Sequence, residues 1–246
     1  MKPHLLMPMG GSGSRFSKEG FDLPKPLIPL FGEPFFYWAT RSITKFIPIA
    51  DVTFVVLKDH INQFSIDDEI KRKFPDAKIV VLDHVLNGPL FTCLEGVKTI
   101  NDDAPIIIND CDHLFKSSAM NNYLLQNDNA IDDGGGLVVF KSNLPQFSYV
   151  RYNSRHEVAG TIEKKVTSED AICGAYFFGN KTVFMDAATL YENDCSYKEF
   201  FLSGLYNELI REGLPIRIFQ TDFHVSFGTP EELEKAKEDR YHEELL

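Results

Sequence analysis

The sequence predicts an α/β protein with a doubly wound, mostly parallel sheet of Rossmann-like form and a strand-rich insertion. Three observations carry this. Apolar runs rich in β-branched residues alternate with amphipathic segments through the first half. From about position 134 strand-like runs follow one another with no helix between them. The first apolar run stops in Gly10-Gly11-Ser12-Gly13, a ligand-type loop at a strand end, where open α/β sheets gather their functional groups.

Taken in order, positions 5–9 form a strand that the glycines cannot continue. Positions 27–30 read as a short strand or extended segment, and Gly32-Glu33-Pro34 turns the chain into a helix over 35–46, with Pro34 near its first turn. The run Val52–Leu57 is apolar throughout, as expected of a strand covered on both faces. A helix over 65–74, a strand over 78–82, a helix over 92–100 and a strand over 105–109 continue the alternation. The second half gives strands at 136–141, 147–152, 158–165 and 175–178, then helices at 182–191 and 198–212 and a strand at 216–221. Thr229-Pro230-Glu231-Glu232 opens a charged final helix with a cap, a proline at the first helical position and an acid three residues after the cap. With 246 residues and no linker or repeat, a single domain is expected, 1–133 forming one half and 134–246 the strand-rich other.

Composition narrows the function classes. Hydrophobic residues make up 43% and charged residues 25%, and no apolar run approaches the length of a membrane span, so no membrane insertion is expected. The net charge of −11, without basic runs, argues against nucleic acid as a partner and requires anionic ligands to be met by a locally positive pocket. The opening residues run straight into the first strand and read as no secretory signal, which predicts a cytoplasmic protein. Four cysteines lie far apart without Cys-x-x-Cys spacing; this argues against a zinc site and gives no reason to expect disulfides. Oligomeric state is left open.

The chemistry concentrates near the start. Backbone N–H groups of a glycine loop can close on an anion, Arg15 offers a forked charge suited to phosphate, and Lys25 is held between Pro24 and Pro26. Together these suit a triphosphate. Asp110-Cys111-Asp112 follows another apolar strand, so the fold brings it to the same sheet edge. On these residues alone, Asp112 is a metal ligand, a helix cap or a turn residue, and the glycines are a phosphate loop or a tight turn.

Gly-Gly-x-Gly-x-Arg followed by Pro-Lys-Pro resembles the sugar-nucleotide pyrophosphorylases, nucleotidyltransferases that join a nucleoside triphosphate to a sugar 1-phosphate. It is neither a dinucleotide fingerprint nor a P-loop. The resemblance implies catalytic roles for Arg15, Lys25 and Asp112, with Asp112 holding Mg2+. It implies nucleotide contacts from Met9, Gly10, Gly11, Ser12, Gly13, Ser14, Asn87, Gly88, Thr92 and Asp110, and acceptor contacts from Glu163, Lys164 and Gly174. It covers roughly residues 5–235, and Ser148-Tyr149-Val150, Tyr206-Asn207-Glu208 and Gly228-Thr229-Pro230 look like a branch associated with capsule and surface-polysaccharide genes. The implied partners are a nucleoside triphosphate and a small phosphorylated acceptor. One position departs: where many members carry an aspartate as second metal ligand, two residues before the glycine of Gly-Thr-Pro, this chain has Ser226. Asp110-x-Asp112 also fits a metal-dependent glycosyltransferase, and Ser226 fits a nucleotide-binding module without catalysis.

Overall fold

The computed structural model describes residues 1–126 and 134–246. The switch of halves expected at 133/134 therefore borders residues 127–133, which lie outside the described residues.

A nine-stranded sheet runs through both halves of the chain. Strand β1 (His4–Met9) ends at the glycines and is followed by the short helix α1 (Ser14–Lys18). A single 3-10 turn, Lys25–Leu27, then leads into a two-strand ribbon of β2 (Pro29–Leu30) and β3 (Glu33–Pro34), where the sequence suggested one extended segment over 27–30. The doubly wound portion follows as α2 (Phe35–Thr44), β4 (Val52–Leu57), α3 (Lys58–Phe64), α4 (Ile66–Lys73), β5 (Lys78–Leu82), α5 (Pro89–Val97) and β6 (Ile106–Asn109). Here β1 pairs in parallel with β4 on one side and β6 on the other, and β5 extends the sheet beyond β4. The chain thus builds outward from β1 in one direction and returns to add β6 on the opposite flank. The loops after β1 and β6 flank the resulting switch point, where open α/β sheets leave a crevice.

The chain continues with β7 (His113–Lys116) and α6 (Ser118–Gln126), and the second half supplies β8 (Gly135–Lys141), β9 (Ser148–Tyr152), β10 (Val158–Glu163) and β11 (Asp170–Phe178). Strand β11 is antiparallel to β6, β8 and β9, so it joins the insertion to the parallel core. It starts earlier than position 175 because a register shift against β8 between Ile172 and Tyr176, with Gly174 at φ +96°, hides its continuity in the sequence. Helices α7 (Lys181–Asp194) and α8 (Leu202–Arg211), strands β12 (Ile216–Gln220) and β13 (Phe223–Ser226), and α9 (Pro230–Ala236) follow, and a 3-10 turn at Tyr241–Leu245 comes last. Strand β12 lies parallel to β8, while β13 pairs with β7 in a separate two-stranded sheet.

Alternation along the buried strands fills three cores. Leu6, Val55 and Ile108 pack on one face of the large sheet with α5, α7 and α8, and Leu5, Met7, Phe54, Val56 and Ile107 pack on the other with α2 and α4. A third core of Phe16, Phe35, Trp38, Leu114, Val225, Phe227 and Leu233 lies beneath the β7–β13 ribbon and fixes it against α2 and α9. Cys93, Cys111 and Cys173 are buried thiols and Cys195 is half-buried.

Candidate active site

The crevice is a cavity of about 390 Å³. Met9, Gly10, Gly11, Ser12 and Gly13 line one wall, Asn87, Gly88 and Thr92 another, and Lys25, Asp110 and Asp112 its inner side. Eleven of the residues singled out in the sequence therefore share one space.

Each wall has a local cause. Gly13 sits at φ +60° with its bare Cα against Lys25; an added Cβ would stand 3.3 Å from the Lys25 Cβ. The left-handed turn lets the Pro24-Lys25 segment close on the loop, and the Leu27 N–H, donating to Pro24 O at 2.8 Å, holds the turn that carries Lys25. Gly88 is at φ +102°, and a Cβ there would meet Phe200 N at 2.6 Å. The segment before α8 therefore lies directly on this loop, with the Leu90 N–H donating to Phe200 O at 3.1 Å. This packing explains why the helix expected from 198 begins only at Leu202: the segment around Phe200 is held on the Gly88 loop, and Glu199 becomes part of the cavity lining.

On the inner side the Lys25 ammonium donates to Asp112 Oδ2 at 2.8 Å. Both side chains are about a quarter exposed, 28% and 24%. Burial opposes both charges, but each stabilises the other: the Asp112 carboxyl is held below its ordinary range and the Lys25 ammonium above its own. Asp110 is different. Burial first, and then the neighbouring Asp112 carboxylate, push its pKa up to about 7. Its N–H donates to Gly174 O at 2.9 Å, which ties the end of β6 to β11.

Two further glycines make room for these carboxylates. A Cβ on Gly174 would stand 2.8 Å from Asp110 Oδ2, and one on Gly228 would stand 2.6 Å from Asp112 Oδ2. Two carboxylates facing one ammonium leave an excess of negative charge in a partly dry crevice, a donor set that fits a hard divalent cation. Ser226 offers no carboxylate, and its hydroxyl donates to Glu232 Oε2 at 2.8 Å, which also accepts the Gly228 N–H at 2.9 Å. Glu232 Oε2 and Asp112 Oδ2 flank the same point, lying 3.4 and 2.6 Å from where the Gly228 Cβ would be. In the sequence Glu232 reads only as part of a helix start, and its spacing after Thr229 is the available signal.

Not every singled-out residue reaches this cavity. Ser14 and Arg15 are exposed on α1 and are not among its lining residues. Glu163 and Lys164 lie at the end of β10, also outside it. Glu163 accepts hydrogen bonds from Ser148 Oγ at 2.5 Å and from Ser203 Oγ, and its charge contributes to raising Asp110. Lys164, at φ +54°, places its ammonium 5.0 Å over the Phe201 ring. Gly174 links the two groups of residues through Asp110. His113 forms part of a separate buried cluster.

No protein-family model matches the sequence, and no curated protein sequence matches it. Solved structures do match its shape. A nucleoside-diphosphate-sugar pyrophosphorylase from Vibrio cholerae superposes with a TM-score of 0.80 at 21% identity, covering 96% of this chain and 100% of that one. A putative glucose-1-phosphate thymidylyltransferase from Bacillus anthracis gives 0.78 at 17% identity over 97% and 94% of the two chains. The inositol-1-phosphate CTP transferase of T. maritima gives 0.73 at 16% identity over 97% of each. The chain has the fold these nucleotidyltransferases share.

Proposed function

We propose that this chain is a nucleotidyltransferase that joins a nucleoside triphosphate to a sugar 1-phosphate or similar small phosphate. It releases pyrophosphate and leaves a nucleotide-activated product of the kind used for surface polysaccharide. The observation that carries this is the meeting of Lys25 and Asp112 at 2.8 Å in the lining of a cavity that the glycine loop also lines.

An acceptor phosphate oxygen attacks the α-phosphorus, the bond to the β-phosphate oxygen breaks, and pyrophosphate departs with the electron pair. The acceptor oxygen is already deprotonated near neutral pH, so no general base is needed and the task is electrostatic. The N–H groups of Gly10, Gly11, Ser12 and Gly13 cradle the triphosphate, with Ser14 and Arg15 at its β and γ end. Met9, Asn87, Gly88 and Thr92 enclose the nucleoside. Lys25 neutralises the α-phosphate and the incoming oxygen, in a site where displaced water strengthens each charge. Glu163, Lys164 and Gly174 hold the acceptor. Asp112 and Asp110 would hold Mg2+, and Glu232, which accepts the Ser226 hydroxyl, is the carboxylate beside the place left by Ser226; when bound, the ion would supply charge compensation on phosphate oxygens.

Asp112→Asn separates the reactions. Pyrophosphate release from a triphosphate plus acceptor should fall by about 10²–10³-fold, the loss typical of one electrostatic contact to a developing charge, while the thermal melt still shows a folded chain. Turnover within a few-fold of wild type would remove Asp112 from the chemistry. Release of a nucleoside diphosphate from a nucleotide sugar would instead identify a glycosyltransferase using Asp110 and Asp112.

A further inference from the structure

Behind the carboxylates, three strands bring His113, Cys173 and His224 together. His113 is the first residue of β7, His224 lies on β13, and Cys173 lies on β11 of the large sheet, beside Gly174. One ligand atom from each, two imidazole nitrogens and a thiol sulfur, all lie within 4.8 Å of one another. Spacing in the sequence conceals the group, because its members are contributed by strands far apart along the chain.

The group has unsatisfied capacity aimed inward. His113 is 2% exposed, and its Nδ1 has no hydrogen-bond partner among the described residues; nor does His224 Nε2. The tautomer of His113 follows from its neighbour. Asn109 Nδ2 donates to Ala39 O at 2.9 Å, which turns the amide oxygen toward the imidazole. His113 Nε2 faces that oxygen at 3.0 Å and must carry the proton. Nδ1 then carries no proton, and its lone pair is open to a cation or a donor.

We propose that His113 Nδ1, His224 Nε2 and Cys173 Sγ form a binding site for a zinc-class cation, distinct from the magnesium site on Asp112. Two imidazoles and a thiol are borderline and soft donors, unsuited to magnesium and matched to zinc. At tetrahedral zinc, ligand atoms stand roughly 3.3–3.8 Å apart, so the side chains need close in by at most about 1.5 Å. On binding, a sulfur–metal bond forms, the thiol proton leaves to solvent, and one coordination position remains for water. The ion would fasten the β7–β13 ribbon to the large sheet immediately behind Asp110 and Asp112, bracing the carboxylates from the rear. The proposal rests on the geometry of these three side chains and holds whether or not the cavity carries out nucleotidyl transfer.

The test uses the full chain, stripped with chelator and titrated with Co2+ in excess Mg2+. We expect one Co2+ per chain, a thiolate-to-cobalt charge-transfer band in the near ultraviolet, and loss of that band on adding Zn2+. Cys173→Ser should abolish the band, and His224→Gln should weaken Co2+ binding at least tenfold, with circular dichroism reporting the fold of each. Should Cys173→Ser not fold, the half-buried His224→Gln decides alone. Absence of the band in wild type, its survival in folded Cys173→Ser, where it would arise from Cys111 or Cys195, or wild-type affinity in His224→Gln overturns the site.

Discussion

Gly228→Ala places one methyl group where the structure allows none. The new Cβ would stand 2.6 Å from Asp112 Oδ2, whereas ordinary van der Waals contact begins at 3.4 Å. The carboxylate must retreat by about 0.8 Å or turn away from Lys25. Gly228 is not among the glycines at positive φ, so alanine meets no backbone penalty and the effect falls on Asp112. A displacement near 1 Å at a reacting centre costs on the order of 10²-fold in rate, about 2.7 kcal/mol of transition-state stabilisation. The expected result is therefore a drop in kcat of about 10²-fold. The melting temperature should move by no more than a few degrees, since about 1 kcal/mol shifts a chain of this size by roughly 2–4 °C. The assay is pyrophosphate release in a coupled phosphate readout, with Mg2+ titrated so that weakened metal binding and slowed chemistry separate. A folded Gly228→Ala enzyme with kcat within twofold of wild type would refute the placement of Asp112 at the reacting phosphate.

Three further outcomes follow from the geometry. Lys25→Ala leaves Asp110 and Asp112 facing each other without a cation; it should lower turnover by about 10²–10³-fold and destabilise the ligand-free chain by about 1–3 kcal/mol, read by urea unfolding with and without Mg2+. Arg15→Lys, on the exposed face of α1, should raise KM for the triphosphate several-fold with a smaller change in kcat, because a point charge lacks the fork that pairs with phosphate; an unchanged KM removes Arg15 from the site. Asp170 accepts from Tyr152 OH at 2.6 Å, Lys141 Nζ at 2.9 Å and Gln220 Nε2 at 2.8 Å. Although burial opposes its charge, these donors lower its pKa below 3.8. Its contribution is thus fully present above about pH 4 and is lost as pH falls through the lowered value. Asp170→Asn should cost about 1–3 kcal/mol at neutral pH and lose its difference from wild type in acid; a constant difference across that window contradicts the sign.

Much of the fold was legible because its parallel strands are uninterrupted apolar runs: Val52–Leu57 and Lys78–Leu82 appear at their expected bounds, although β5 is not buried but forms the edge of the sheet with Val81 exposed. The pieces that escaped are those whose signal is not local. Strand β7 is four residues long, and its partner β13 lies more than a hundred positions away, so neither announces itself by periodicity. Helix α3, Lys-Asp-His-Ile-Asn-Gln-Phe, carries too few apolar positions to show a helical stripe. In the cavity, Lys25 and Asp112 were legible from strand ends and flanking prolines. Glu199 was not, because only the packing of Phe200 on Gly88 brings it there. The cluster of His113, Cys173 and His224 was hidden for the same reason as the ribbon that carries two of its members.

The account stands most directly on one matrix: four nucleoside triphosphates, each with a panel of phosphorylated acceptors and Mg2+, scored for pyrophosphate. It predicts pyrophosphate only when triphosphate and acceptor are both present, with one base and one acceptor class strongly preferred, and loss of that signal in Asp112→Asn. Pyrophosphate formed equally without acceptor, or a signal untouched by Asp112→Asn, would contradict it.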